Sequence, residues 1–190
     1  RILSDAVNII SEGEVLQLMN CHNADVDEER YLRVIRYKTA KLFEAASQIG
    51  ALIGGADADT ERRLADYGSH LGAAFQLIDD ALDYSGAEAE TGKRLGDDLA
   101  EGKPTLPLIH AMQRGTPAQA GCVRRAIENG GREDFAEVMA AIRATGALEH
   151  TRAQAEAEAE RARASIETLP ASPHKDSLLK LAVFAVARTF

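Results

Sequence analysis

The chain has 190 residues, 45% hydrophobic and 27% charged, with a net charge of −8, no tryptophan and 5% aromatics. That is enough apolar content for one globular domain with its own core, and it excludes a disordered chain. The acidic balance, without a basic cluster interleaved with aromatics, argues against a nucleic-acid partner. Cys21 and Cys122 stand alone without metal or redox spacing, which fits a reducing, cytoplasmic setting, and the apolar run 181–187 is too short for a transmembrane segment.

Helical periodicity dominates from one end to the other, and no strand pattern survives it. The pattern predicts a first helix over Ser4–Met19. Asp25 with Glu28 reads as a capping box for a second, whose stripe is Leu32, Ile35, Thr39, Leu42, Ala46, Ile49 and Ile53, closed by Gly54-Gly55. A third helix is predicted from Thr60 to Tyr84 with Leu64, Leu71, Phe75, Ile78 and Leu82 facing the core. The glycine-bearing stretch 85–103 follows, long enough to be functional or disordered. Shorter helices are predicted over Pro104–Arg114, from a Thr116-Pro117 start to Gly130-Gly131, over Glu133–Thr145, and over Ala147–Leu169, the last charged and solvent-facing. Ser172-Pro173 opens a final helix with Leu178, Leu181, Phe184 and Ala185 inward. The fold expectation is all-α.

The sequence FQLIDDALD, residues 75–83, sets three carboxylates into five positions. On a helix Gln76, Asp79, Asp80 and Asp83 share one face, and toward the N-terminus that face continues into Ala73, Gly72 and Ser69, small residues that read as a cavity wall. A helix C-terminus already carries partial negative charge. Something cationic must offset the cluster, and a hard divalent ion such as Mg²⁺, using one or two carboxylates plus phosphate oxygens, would do so. A solvated acidic helix end is the plainer alternative. Thr39 interrupts an apolar stripe and Lys38 precedes it, and Lys93 and Lys103 follow the carboxylates, each behind a glycine; metal plus several lysines suits a diphosphate. Asp97-Asp98 could support metal waters or pair with Lys93 and Arg94. DADTE at 57–61 lacks the glycine and glutamate of a calcium loop, and no GxSxG, HExxH or GxGxxG is present.

Taken together, YKTAKLFEAA at 37–46, FQLIDDALDY at 75–84, the Gly92-Lys93 pair and GDDLAEGKPTLPL at 96–108 resemble the trans-type polyprenyl diphosphate synthases, especially the octaprenyl type, and EGEVLQLM at 12–19 fits the same pattern. The resemblance implies a helical bundle of isoprenoid-synthase type around a central cavity, usually a homodimer. Such enzymes condense isopentenyl diphosphate with an allylic diphosphate in a Mg²⁺-dependent reaction. It also implies Asp79, Asp80 and Asp83 as metal ligands, with Asp79 foremost. Lys38, Thr39, Gln76, Lys93 and Lys103 would contact the allylic diphosphate, with Asp79, Asp80 and Lys38 as the catalytic set. The family's first aspartate-rich motif, its arginine pair and its isopentenyl-diphosphate positions have no match before Asp79. Residues 1–190 therefore read as the C-terminal portion of a single prenyl-synthase domain, inactive alone, with the N-terminal half supplied in cis or by a separate chain. A non-catalytic scaffolding subunit of a heteromeric synthase is the alternative.

Overall fold

The computed structural model describes residues 1–85 and 95–188. Among the described residues the chain is helical, without strands: α1 (Ile2–Asn20), α2 (Glu28–Ile35), a π-helical turn (Arg36–Ala40), α3 (Lys41–Ile53), α4 (Ala58–Leu82), α5 (Asp97–Ala100), α6 (Leu106–Arg114), α7 (Pro117–Asn129), α8 (Phe135–Ala144), α9 (Ala147–Ser165) and α10 (Pro173–Ala187). No helix among them is long and apolar enough to cross a membrane.

The helix starts follow local chemistry. Thr116 and Gln119 form a reciprocal capping box ahead of Pro117, and Ser172 Oγ accepts from Lys175 N ahead of Pro173, each satisfying otherwise orphaned amides. Asp57 caps α4 by accepting from Thr60 N at 2.8 Å, so the acidic stretch that faintly resembled a calcium loop is a helix start. The second helix is capped by Asp27, which accepts from Arg30 N at 2.8 Å, and not by Asp25. Asp25 instead lies in the preceding turn, its N–H bonded to Asn23 Oδ1.

The predicted second helix is interrupted at its middle. Lys41 N donates to Arg36 O, five residues back, and the extra residue rotates everything downstream by about 100°. The stripe read with uninterrupted spacing therefore fails past Thr39. Leu42 is 53% and Ile53 83% exposed, while Ala40, Ala45 and Ala51 are buried.

The chain forms two compact units. The first, residues 1–14, 34–76 and 154–188, has a core of Tyr67, Leu71, Ala162, Ile166, Ala182 and Ala185, with Phe43, Leu64 and Leu178 against it. The second, residues 15–33 and 77–153, buries Tyr84, Leu99, Leu108, Val123, Ile127, Val138 and Ile142. Two expectations need correction. The charged helix α9 is not simply solvent-facing, because Thr151, Ala155, Glu158, Ala159 and Ala162 line a buried face. On α10 Leu178 and Ala185 face the core as expected, joined by Ala182, whereas Leu181 and Phe184 are exposed. In both helices alanines make up much of the buried face, and a reading that follows large side chains misses such faces.

Inside the first unit Gly72 has the same use. A Cβ there would lie 2.6 Å from Ala40 Cα, so this part of α4 packs directly on the end of the π-turn. The small residues of α4 thus include a close helix contact where a cavity wall was expected. Gly72→Ala should destabilise the protein by about 1–3 kcal/mol through overpacking, although alanine is the better helix former. Gly50→Ala, in α3 where a Cβ meets nothing within 4 Å, should stabilise it by about 0.5–1 kcal/mol. Urea unfolding of the two variants checks both signs.

Glu158 is the buried acid of this unit, bonded to His70 Nδ1 at 2.6 Å and to Arg161 at 2.6 Å. Burial pushes its carboxyl up, but His70, Arg161 and Arg36 outweigh that and hold it below the usual range. A lowered folded-state pKa gives stability above the ordinary glutamate pKa, lost as pH falls through the folded value. Glu158→Gln should therefore cost about 1–3 kcal/mol at pH 7. Melting curves taken toward lower pH should show the gap to wild type closing below about pH 4.5.

Candidate active site

The end of α4 gathers negative charge with no basic residue in its last turn, and in the second unit each carboxylate is handled differently. Asp80 is buried and accepts from Tyr31 Oη at 2.6 Å. Asp83 reaches the start of α5 and accepts from the backbone N–H groups of Asp97 and Asp98 at 3.2 and 3.1 Å. It acts there as a cap for a helix whose own N-cap is Gly96. The Asp79 side chain, half-buried, has no hydrogen-bond or ion-pair partner among the described residues. The sequence brings these three carboxylates to one face, and the chain engages two of them.

Asp98 belongs to the same cluster. Burial pushes its carboxyl up against the pull of Lys103, and the charges of Asp79 and Glu101 push further. Burial and the Asp98 charge likewise push Asp83 up to about 6, despite its two backbone donors. Groups raised in this way are short of positive charge. Lys103 supplies some of it, with Nζ 3.1 Å from Asp98 and 2.6 Å from Glu101. Burial works against the ammonium, but these two acids outweigh it and raise its pKa.

The turn carrying Lys103 is braced from behind. His22 N donates to Gly102 O at 2.8 Å, and Gly131 N donates to Ala100 O at 3.0 Å. Arg132 bonds both Leu95 O and the Asp97 carboxylate. His22 itself has φ 59°, and Gly102, at φ +68°, lies where a side chain would strike the His22 ring.

The first unit holds the other sequence-predicted residues. Lys38 and Thr39 sit in the π-turn, a distortion that recurs at functional sites. Thr39 Oγ1 donates to Gln76 Oε1 at 2.8 Å, and Lys38 Nζ pairs with Glu14 at 2.7 Å. Lys93 lies outside the described residues. Sequence reasoning missed Tyr31, His22 and Arg132. Tyr31 reads as an ordinary core residue, and the other two act on backbone that only the fold brings to them.

The donor set suits a hard cation. It is all carboxylate oxygen and electrostatically under-compensated. Among the described residues no three acidic, His or Cys side chains form a ready-made metal cage. Mg²⁺ needs none, since it keeps water and phosphate oxygens and takes one or two carboxylates.

By its helical architecture the chain is of the isoprenyl-synthase type. The crystal structure of a polyprenyl synthase from Caulobacter crescentus, complexed with calcium and isoprenyl diphosphate, superposes with a TM-score of 0.94 at 44% identity, covering 100% of this chain and 58% of that one. A decaprenyl diphosphate synthase from Rhodobacter capsulatus gives 0.91 at 44% identity, covering 100% and 59%. Residues 1–145 match the polyprenyl synthetase family, and the chain belongs to that family. The octaprenyl diphosphate synthase of Escherichia coli is 53% identical over 188 residues, 98% of this chain and 58% of that protein. The chain thus spans less than two thirds of the length of the relatives it matches.

The brace around Lys103 is testable by itself. Gly102→Ala should cost about 1–2 kcal/mol from the left-handed backbone alone, with the His22 contact adding to it. Thermal denaturation of that variant beside Gly121→Ala, where an added Cβ meets only the end of Arg125 at 3.7 Å, separates a local effect from a general one.

Proposed function

We propose that the protein works as a trans-type polyprenyl diphosphate synthase, condensing isopentenyl diphosphate with an allylic diphosphate to give a long-chain, octaprenyl-type product. The observation that carries this reading is the state of Asp79: a carboxylate without a partner among the described residues, at the negative end of α4, beside acids whose pKa values are already raised. Asp79 would take a divalent cation directly, Mg²⁺ by preference, with Asp80 and Asp83 supporting it. Bound there, the cation would neutralise charge growing on the departing diphosphate.

The chain's own residues would do the rest. Lys103, held protonated by Asp98 and Glu101, is a fixed positive charge for diphosphate oxygens and not a proton carrier. Lys38 and Lys93 would add to that charge. Thr39 and Gln76, bonded to each other through Thr39 Oγ1 and Gln76 Oε1, would contact the allylic diphosphate as a pair. Donors aimed where charge accumulates are the principal catalytic contribution available to such a site.

Residues 1–190 would serve one catalytic domain, acting as a homodimer in the cytoplasm. The presence of Asp79, Asp80, Asp83, Lys38, Gln76 and Lys103 together speaks against a purely scaffolding subunit, in which ligand positions are free to decay.

In the full-length protein Asp79→Ala should cut turnover of isopentenyl and allylic diphosphates by at least about a hundredfold while leaving far-UV circular dichroism unchanged. Near-normal turnover in a well-folded variant removes Asp79 from the mechanism.

A further inference from the structure

Two tyrosines place hydroxyls in buried surroundings against very different acceptors. Tyr67 Oη donates to the neutral carbonyl of Leu178 at 2.8 Å, an ordinary packing bond. Tyr31 Oη donates to the Asp80 carboxylate at 2.6 Å, across 49 residues of sequence. Both partners of that bond are almost fully buried, at 5% and 4% exposure. A length of 2.6 Å is that of a charge-assisted O–H···O⁻ bond. Core packing alone would be met by phenylalanine at position 31. The hydroxyl is required only by the carboxylate, and Asp80 is adjacent to Asp79.

We propose that Tyr31 is a positioning residue for the divalent-cation site. Its hydroxyl fixes the Asp80 carboxylate beside Asp79, and cation affinity depends on that bond. This rests on the prenyl-synthase reading and extends it to a residue outside the aspartate motif and outside the lysine set. The geometry suits Tyr31 to the role: its place on α2, a separate helix, fixes the carboxylate against rotation about its own side-chain bonds. Hydrogen-bond partners of metal-site carboxylates are commonly worth about 10–100-fold in metal affinity.

The test is calorimetric titration of the full-length protein with inorganic pyrophosphate at a series of Mg²⁺ concentrations. Wild type should bind pyrophosphate only with Mg²⁺, and Asp79→Ala should abolish this. Tyr31→Phe should raise the Mg²⁺ concentration needed by about tenfold. Tyr67→Phe, which removes a hydroxyl bonded to the neutral carbonyl of Leu178 and to none of the acids, should lower the melting temperature without moving that concentration. If Tyr31→Phe folds and needs no more Mg²⁺ than wild type while Asp79→Ala is impaired, the positioning role is overturned and the prenyl-synthase reading stands. If wild type shows no Mg²⁺-dependent binding, the reading falls and this proposal with it. Should Tyr31→Phe alone not fold, the double variant with Asp80→Asn removes the stranded buried charge. It should then bind Mg²⁺ no more weakly than Asp80→Asn alone, and an additive loss overturns the proposal.

Discussion

Too many carboxylates meet at the wrong end of a helix. Asp79, Asp80 and Asp83 occupy the last turn of α4 and the residue beyond it, where the helix dipole already places partial negative charge. Asp98 joins them from the next segment. A chain selected for stability alone would place a lysine or arginine there, and α4 has none in its last turn. The protein instead distributes the burden. A tyrosine hydroxyl takes Asp80, two backbone amides take Asp83, and an ammonium takes Asp98. Each answer is local, and each uses a donor that cannot leave. Asp79 is the carboxylate left without such an answer among the described residues.

That arrangement explains why the surrounding turn is built so firmly. Lys103 can offset Asp98 only if the short helix α5 and its exit hold their shape. A four-residue helix has no stability of its own. Its shape comes from outside: the Asp83 cap at its start, Arg132 on Leu95 O and Asp97, and the His22 and Gly131 amides on the carbonyls of Gly102 and Ala100. The positive φ at His22 is local strain of the kind that persists where the surroundings over-determine the backbone, while Gly102 adopts its positive φ freely. The rigidity serves the charge, since a loosely held lysine would spend its ammonium on water.

Much of this was legible in the sequence, for definable reasons. The helices were, because 3.6-residue periodicity and paired punctuation such as Thr116-Pro117 and Ser172-Pro173 are short-range signals. The shared face of Gln76, Asp79, Asp80 and Asp83 was, because side-chain spacing on a helix is fixed by geometry. What failed was whatever depends on a neighbour. Periodicity carried straight through Arg36–Ala40 could not register one inserted residue, so Leu42 and Ile53 were placed inward and lie outward. Ala155, Ala159 and Ala182 carry no hydrophobic weight on paper and yet are buried. Asp25 and Asp27 are equally good caps by residue type, and only the turn at Asn23 chooses between them.

The same distinction runs through the site. Residues that would touch a ligand carry their chemistry openly, as a lysine behind a glycine or an aspartate pair. Residues that hold those in place are chemically anonymous: a tyrosine in an amphipathic helix, a histidine in a loop, an arginine after a glycine pair. Their contribution is a hydrogen bond whose other half lies 35, 49 or 80 positions away. Yet the crowding itself tells where to look for them. Three acids in five residues at a helix C-terminus repel one another, and where two of them are engaged by the chain their donors come from other segments, Tyr31 for Asp80 and the α5 amides for Asp83. The acids are the visible half of a charge balance, and Tyr31, the α5 amides and Lys103 are the other half.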